Sequence, residues 1–244
     1  MFPLTDVLTK MMNFKNVFRG SEIGCHSSRW TGLCKHVFVL LLLGLFSVRA
    51  LAADTLLILG DSLSAGYRMP AASAWPALLD QKWQTRPDGV KVVNASISGD
   101  TAGQGLARLP ALLKQHQPRW VLIELGGNDG LRGFPPNNIE QDLSKIITLV
   151  EQAQAQPLLM QIRLPTNYGR RYNESFSDVY PRLAKQFSIP LVPFFMEQVY
   201  LKPEWILEDG IHPARDAQPF IADWMAQQLE SLYPIDFELQ EGGN

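Results

Sequence analysis

Residues 55–64 read TLLILGDSLS, a continuous apolar run followed by a polar turn. A strand that is apolar on both faces is typical of a parallel sheet covered by helices on both sides. A turn that leads from such a strand into a helix exposes the Ser62 hydroxyl, and free N–H groups at the helix start favour developing negative charge. The stretch therefore predicts an α/β fold, and its turn is either a site with an exposed serine or only a turn.

Four more apolar runs and three helical patterns follow this stretch. The predicted further strands are Val90–Val93, Trp120–Leu125, Pro157–Ile162 and Pro190–Phe195. Apolar residues at helical spacing predict helices around residues 106–113, 139–150 and 220–232. Five strands that alternate with helices predict one parallel sheet with helices on both faces.

The chain before residue 53 differs from the rest in charge and hydropathy. Residues 1–52 carry a net charge of +4, and the total of −2 leaves −6 for the remaining 192 residues. Val37–Val48 is uncharged but shorter than the roughly 20 apolar residues of a membrane-spanning helix. Ala50 and Ala52 are small residues at the two positions that a signal peptidase reads. This pattern predicts a secretory signal peptide at 1–52, cleaved after Ala52, and a mature domain at 53–244.

A signal peptide at residues 1–52, called the leader below, implies export. Its cleavage would leave the mature chain without a stable membrane anchor. An uncleaved anchor and a buried core helix are the alternatives for residues 37–48. Both cysteines, Cys25 and Cys34, lie in the leader, so the mature domain has no thiol for a disulfide or a nucleophile. Three methionines could start translation: Met1, Met11 and Met12.

Polar, glycine-containing segments follow four of the five predicted strands. They are Gly60–Ser64, Ser98–Thr101, Gly126–Gly130 and Asp209–Pro213. Taken singly, each could be only a turn or a polar loop. The carboxyl ends of parallel strands lie at one edge of the sheet, where ligands bind in such folds. The four segments together therefore predict a site at that edge.

The histidines narrow the general base to one candidate. His26 and His36 precede residue 53 and leave with the leader. His116 lies at a polar helix end, where the helix dipole favours a histidine. His212 remains, and a serine hydroxyl is a poor nucleophile until such a base removes its proton.

The order and spacing of the four segments resemble those of the SGNH (GDSL) hydrolase family. The resemblance extends over essentially the whole mature region and rests on Gly60–Ser62, Gly99, Gly127–Asp129 and Asp209–His212. It implies an α/β fold of three layers, α/β/α, around a flavodoxin-like parallel sheet of five strands.

The resemblance also implies the roles of the residues at the site. Ser62 would be the nucleophile, His212 the base and Asp209 the acid that orients it. The backbone N–H groups of Ser62 and Gly99 and the side chain of Asn128 would form the oxyanion hole.

The loop after Asn128 is expected to bind substrate. Leu131, Phe134 and Pro135 belong to a segment that, in the family, closes over the acyl chain, and their apolar side chains suit such a lid. A rigid connecting loop is the alternative. The segment Tyr168–Tyr172 could meet an anionic head group or be a solvated loop.

The family's activity implies a serine hydrolase that works through an acyl-enzyme. Its expected substrates are long-chain acyl thioesters such as acyl-CoA, lysophospholipids and other carboxylic esters, with minor protease-like esterolysis. The resemblance further implies a periplasmic protein, expected to be a monomer with no cofactor and no metal. The acidic mature domain disfavours a nucleic-acid partner. The alternatives are a polysaccharide O-deacetylase or arylesterase on the same triad, and a non-catalytic lipid-binding module.

Overall fold

The computed structural model describes residues 54–86 and 89–232. The predicted signal peptide, its cleavage site after Ala52 and the polar tail from Pro234 lie outside these residues. Within the described ranges, no helix is both long and apolar enough to cross a bilayer.

A five-stranded parallel sheet forms the centre of the fold. Its strands, in chain order, are β1 (Thr55–Gly60), β2 (Lys91–Asn94), β3 (Trp120–Glu124), β4 (Gln156–Met160) and β5 (Leu191–Val192). Their spatial order is β2-β1-β3-β4-β5, and every neighbouring pair is parallel. This is the flavodoxin-like order, so the predicted fold class is confirmed. The order reverses between β1 and β3, which is where ligands bind in this architecture.

The fifth strand is shorter than the sequence predicts. Only Leu191 and Val192 pair with β4, although the apolar run extends from Pro190 to Phe195. The carbonyls of Pro190 and Val192 accept from the Leu159 and Gln161 N–H groups, so alternate residues of the run face β4. Pro190 has no N–H to donate to β4, so the ladder cannot extend before Leu191. The last two residues of the run, Phe194 and Phe195, are buried as part of the core instead.

Helices cover the sheet in two groups. The described residues contain α1 (Ser62–Ala65), α2 (Trp75–Gln84), α3 (Ala102–His116), α4 (Gly127–Leu131), α5 (Pro136–Gln152), α6 (Arg170–Ser177), α7 (Val179–Phe187), α8 (Met196–Val199) and α9 (Gln218–Leu232). Helix α5 packs between α3 and α7, while α2 packs against α9. The sheet lies between these two groups, which gives the three layers.

The apolar residues whose spacing predicts these helices lie on the helix faces that pack against the core. On α5, for example, the five apolar residues that predict the helix are all buried: Ile139, Leu143, Ile146, Ile147 and Val150. In β1, the residues Leu56–Leu59 are all buried, as a strand covered on both faces requires.

The start of α3 is fixed by a capping box. The Thr101 hydroxyl accepts a hydrogen bond from the Gln104 N–H (3.2 Å), and the Gln104 side chain accepts one from the Thr101 N–H (3.0 Å). These two bonds satisfy donors that a helix N-terminus leaves free. Because Gly99 lies two residues before the cap, the box also fixes the end of the β2–α3 loop.

Candidate active site

Ser62 lies at the first position of α1, directly after β1. The Asp61 side chain caps this short helix by accepting a hydrogen bond from the Leu63 N–H (3.0 Å). Gly66 ends the helix with a φ of +82°, a left-handed conformation that glycine adopts without strain. The turn therefore holds the half-buried Ser62 at the carboxyl edge of the sheet, as the sequence predicts.

A hydrogen-bonded chain joins Ser62 to His212 and Asp209. The His212 Nε2 lies 2.8 Å from the Ser62 Oγ, and the His212 Nδ1 lies 2.9 Å from the Asp209 Oδ2. The three residues come from opposite ends of the described residues, and the fold brings them together. Nucleophile, base and orienting acid in this order are the arrangement of a serine hydrolase triad.

The Asp209 carboxylate is ionised and also shapes its own loop. Its Oδ1 accepts hydrogen bonds from the backbone N–H groups of Ile211 (2.9 Å) and His212 (3.0 Å). Partial burial alone would raise the pKa of Asp209. The two backbone hydrogen bonds and the contact with the His212 imidazole outweigh this effect and lower the pKa from 3.8 to about 2. The negative charge on Asp209 can therefore hold the Nδ1–H tautomer of His212 near neutral pH.

A short antiparallel bridge supports the loop that carries His212. Ile206 pairs with Pro213, and the Leu207 N–H donates to the His212 carbonyl (2.8 Å). Gly210 makes the turn between Asp209 and His212 with a φ of +72°. One tight turn, stabilised by this bridge, therefore places Asp209 and His212, which are three residues apart, next to each other.

The sequence predicts that two backbone N–H groups bind an oxyanion. Among the described residues, neither the Ser62 N–H nor the Gly99 N–H has a hydrogen-bond acceptor. Gly99 has a φ of +87°, and no atom lies within 4 Å of the position a Cβ would take. Glycine is therefore required there by the backbone conformation and not by crowding.

The Asn128 side chain lies between the two loops that carry these donors. Its Nδ2 donates to the Asp61 Oδ2 (3.0 Å) and to the Asp100 carbonyl (3.1 Å). The first bond ties Asn128 to the Ser62 turn and the second ties it to the Gly99 loop. To bind an oxyanion, the Asn128 amide would have to share one of its two N–H groups between the oxyanion and its present acceptor.

A small cavity of about 70 Å³ opens beside Ser62. Its walls are mainly apolar side chains: Leu63, Leu131, Ile162, Leu164, Pro165, Phe194, Tyr200 and Ile211. Of the three residues expected to bind substrate, Leu131 lines this cavity. Phe134 and Pro135 do not, and Phe134 is 40% exposed.

The segment Tyr168–Tyr172 lies beside a second, more open cavity of about 470 Å³. Arg170 and Arg171 begin α6, and the Arg170 guanidinium pairs with Glu174 at 3.0 Å on the exposed surface. Both tyrosines turn their hydroxyls toward the loop after Asn128. Within the ranges that the structure describes, no group of three or more His, Cys, Asp or Glu side chains is arranged to hold a metal ion.

Three residues at the site are absent from the sequence prediction. Tyr67 stacks on His212, Glu124 bonds to the Ser62 turn, and Arg132 donates to the Gly99 carbonyl (3.0 Å). Only Glu124 has a visible signal in the sequence, because it is an acidic residue inside the apolar run of β3. Aromatic and basic residues in loops carry no such signal.

The family comparison agrees with this geometry. A sequence model described as the GDSL-like Lipase/Acylhydrolase family matches residues 58–218. The chain is 67% identical over 226 residues to Thioesterase 1/protease 1/lysophospholipase L1 of Escherichia coli K12, covering 93% of this chain and all of the relative. It is 55% identical over 183 residues to an arylesterase of Vibrio mimicus, covering 75% of this chain and 92% of the relative.

Solved structures show the same likeness. The esterase EstA from Pseudoalteromonas sp., inhibited by monoethylphosphonate, is 40% identical with a TM-score of 0.71 and covers 73% of this chain and 97% of its own. The structure of TesA is 46% identical with a TM-score of 0.70, covering 74% of this chain and all of its own. These matches confirm the resemblance seen in the sequence: the chain belongs to the GDSL-like lipase/acylhydrolase family and is a serine acyl hydrolase.

Proposed function

We propose that Ser62, His212 and Asp209 are the catalytic triad of this hydrolase. The observation that carries the proposal is the unbroken chain of hydrogen bonds of 2.8 and 2.9 Å from the Ser62 hydroxyl through the imidazole to the Asp209 carboxylate. In the first step His212 takes the proton of Ser62 as the Oγ attacks the carbonyl carbon. Asp209 stabilises the imidazolium that forms and remains ionised.

The tetrahedral intermediate places its negative charge among two free backbone donors and one shared amide donor. The N–H groups of Ser62 and Gly99 and the Asn128 amide form the proposed oxyanion hole, and each such donor contributes about 10²–10³ in kcat. His212 then protonates the leaving thiolate or alkoxide, which leaves an acyl group on Ser62. A water molecule, deprotonated by His212, hydrolyses the acyl-enzyme, and Ser62 regains its proton.

The proposed substrates are long-chain acyl thioesters, lysophospholipids and other carboxylic esters, with minor protease-like esterolysis. The relative at 67% identity bears the names thioesterase, protease and lysophospholipase. The apolar walls beside Ser62 support an acyl chain as the bound group. At about 70 Å³ the cavity is too small to enclose a long chain, so the chain must continue over the surface or move the walls. We assign that surface to Leu131, Phe134 and Pro135.

The test compares the purified wild type with S62A. The expected result is loss of hydrolysis of both palmitoyl thioester and p-nitrophenyl esters, because both reactions use the same hydroxyl. S231A is the matched control, since Ser231 is exposed in the last turn of α9 and should leave the rates unchanged. Hydrolysis by S62A at the wild-type rate would contradict the proposal.

An arylesterase is the second candidate, favoured by the relative from Vibrio mimicus. A series of thioesters and oxyesters from acetyl to palmitoyl separates the two. Hydrolysis rates that rise with acyl length, for thioesters as well as for oxyesters, support the long-chain acyl hydrolase. Rates that depend on an aryl leaving group and fall with acyl length support the second.

The proposed setting is the periplasm. The basic, apolar leader at 1–52 and the small residues before Ala53 support export and cleavage after Ala52, which releases the domain 53–244 as a monomer without a membrane anchor. The intact mass of the protein from a periplasmic extract tests the cleavage site. A mass that includes residues 1–52 would contradict the cleavage.

A further inference from the structure

Strand β3 ends in a buried acidic residue. Glu124 is fully buried, although the rest of the strand, Trp120–Ile123, is apolar. Its carboxyl group packs against the backbone of Gly60, where an added Cβ would come within 2.5 Å of the Glu124 Oε2. Glycine at that position is therefore what lets the carboxyl group approach the end of β1 so closely.

One oxygen of Glu124 bonds to residues on both sides of the nucleophile. The Glu124 Oε2 accepts hydrogen bonds from the Asp61 N–H (3.2 Å) and from the Ser64 hydroxyl (2.8 Å). Ser62 lies between these two residues in the chain. The contacts therefore fix the backbone turn that points the Ser62 Oγ toward His212.

Asp61 extends this group to the oxyanion side. Its side chain, also buried, accepts from the Leu63 N–H through Oδ1 and from Asn128 through Oδ2. Glu124 and Asp61 together thus contact the nucleophile turn and the amide proposed to bind the oxyanion. No substrate atom needs to touch either carboxyl group for this to matter.

Two carboxyl groups in one buried place cannot both be ionised cheaply. Burial raises the pKa of Asp61 to about 6, and burial and the charge of Asp61 raise the pKa of Glu124 well above 4.5. The Glu124 Oε1 has no hydrogen-bond partner among the described residues. A buried, unpaired oxygen costs less on a neutral acid than on a carboxylate, so the proton belongs on Glu124.

Within residues 54–86 and 89–232, no charged side chain forms an ion pair with Glu124. Arg108 pairs with Asp100 at 2.7 Å, and its guanidinium also reaches the Gly60 carbonyl. Tyr180 donates to the Leu125 carbonyl, and burial keeps its pKa well above the usual value, so it is neutral. Asp129 accepts from the Ala102 N–H and, as an acid, supplies no positive charge.

We propose that neutral Glu124 is a positioning residue, which holds the Ser62 turn directly and the Asn128 amide through Asp61. One buried group then aligns the nucleophile with an oxyanion donor. The proposal rests on the triad and oxyanion roles proposed above.

The test uses E124Q and E124A, with E151Q as control because Glu151 is exposed on α5. Glutamine keeps an acceptor for the Ser62 turn and a donor in place of the acid proton. We expect E124Q to lower kcat for a short p-nitrophenyl ester by less than about threefold and E124A to lower it at least about tenfold, the effect of losing about 1.4 kcal/mol of alignment. KM should change less than about twofold in both variants, since the side chain at position 124 does not contact substrate.

Two outcomes would overturn the proposal. Wild-type kcat in E124A would show that the contacts do not align the site. An E124Q as slow as E124A would show that the ionised carboxylate, and not the neutral acid, is required. If E124A does not fold, S64A is tested instead, because it removes the hydrogen bond from the Ser64 hydroxyl to Glu124. An unchanged kcat in S64A would then overturn the proposal.

The pH dependence of stability provides a separate readout. A pKa raised in the folded state gives stability that is present below the unfolded pKa near 4.5 and is lost as pH rises. Urea unfolding from pH 4 to pH 8 should therefore show E124Q gaining stability relative to the wild type with rising pH. Parallel curves would overturn the neutral form of Glu124. An active S62A would instead refute the triad and leave this result standing.

Discussion

The ring of Tyr67 stacks on the imidazole of His212, with centroids 4.1 Å apart and 26° between the planes. Tyr67 follows α1, whereas His212 lies in the loop after the last strand. The stack therefore joins the loop that carries the base to the segment that carries Ser62. It holds the imidazole on a face that Asp209 and Ser62 do not contact.

Removing the Tyr67 ring should slow catalysis. An aromatic pair contributes about 0.5–1.5 kcal/mol beyond burial, so Y67A should lower kcat by about twofold to tenfold as the imidazole gains freedom. Y67F keeps the ring and should stay within about twofold of the wild type. Steady-state kinetics with a p-nitrophenyl ester checks both. Equal kcat values for Y67A and Y67F would show that the stack does not position His212.

The charge of Asp209 should matter more than its shape. In D209N the amide oxygen can still accept from the Ile211 and His212 N–H groups, so the loop is kept while the negative charge is lost. We expect kcat to fall by about 10²–10⁴, the range for a triad that loses its acid. A D209N that retains more than half of the wild-type kcat would contradict the assignment of Asp209.

The same variant has a defined pH signature in stability. The folded pKa of Asp209 is lowered to about 2, so its contribution is fully present above the unfolded value of 3.8 and is lost as pH falls toward 2. The free energy of unfolding of the wild type should therefore approach that of D209N as pH falls from about 4 to about 2. Urea titrations at each pH measure this difference, and a constant difference would contradict the lowered pKa.

Gly99 should tolerate no side chain although it has space for one. An alanine at a φ of +87° costs about 1–2 kcal/mol, and relief of that strain would move the N–H that we propose binds the oxyanion. We expect G99A to lower kcat by about 10–10². Gly169 has a φ of +86° and equal space, so G169A is the matched control for strain. Equal kcat in the two variants would remove Gly99 from the oxyanion hole.

Two tyrosine hydroxyls hold the loop after Asn128. The Tyr172 hydroxyl donates to the Phe134 carbonyl (2.6 Å), and the Tyr168 hydroxyl donates to the Leu131 carbonyl (3.0 Å). Each bond contributes about 1 kcal/mol, so Y172F should speed amide hydrogen exchange in residues 131–134 by about fivefold. The Y168F/Y172F double variant should exchange faster still. Unchanged exchange in the double variant would show that the loop is held by its packing.

The fold and the edge of the sheet that carries the site could be predicted because their signals are local in the sequence. The roles of Ser62 and Asp209 are implied by the resemblance to the SGNH (GDSL) hydrolase family. The unbroken apolar runs of β1 and β3 identify central strands of a parallel sheet, and polar residues directly after them identify its ligand-binding edge. His212 could be selected as the base since only one other histidine, His116, follows residue 52. Each of these inferences depends on residue type and position along the chain.

The remaining features depend on distances that the sequence does not encode. The contact of Glu124 with Asp61 joins residues 63 positions apart, and its effect on ionisation comes from burial in three dimensions. The stack of Tyr67 on His212 depends on where two loops meet. The start of β5 at Leu191 could have been predicted, because Pro190 has no N–H to donate to β4.

The central claim is that the Ser62 hydroxyl is activated by His212 and attacks the acyl carbon. Covalent labelling with a fluorophosphonate tests it most directly, because the reagent is attacked by an activated serine and stays attached. Peptide mass mapping of the wild type should show one adduct, on Ser62, with H212A labelled at least about tenfold more slowly and S62A unlabelled. An adduct on any other residue, or an equally fast adduct on Ser62 in H212A, would contradict it.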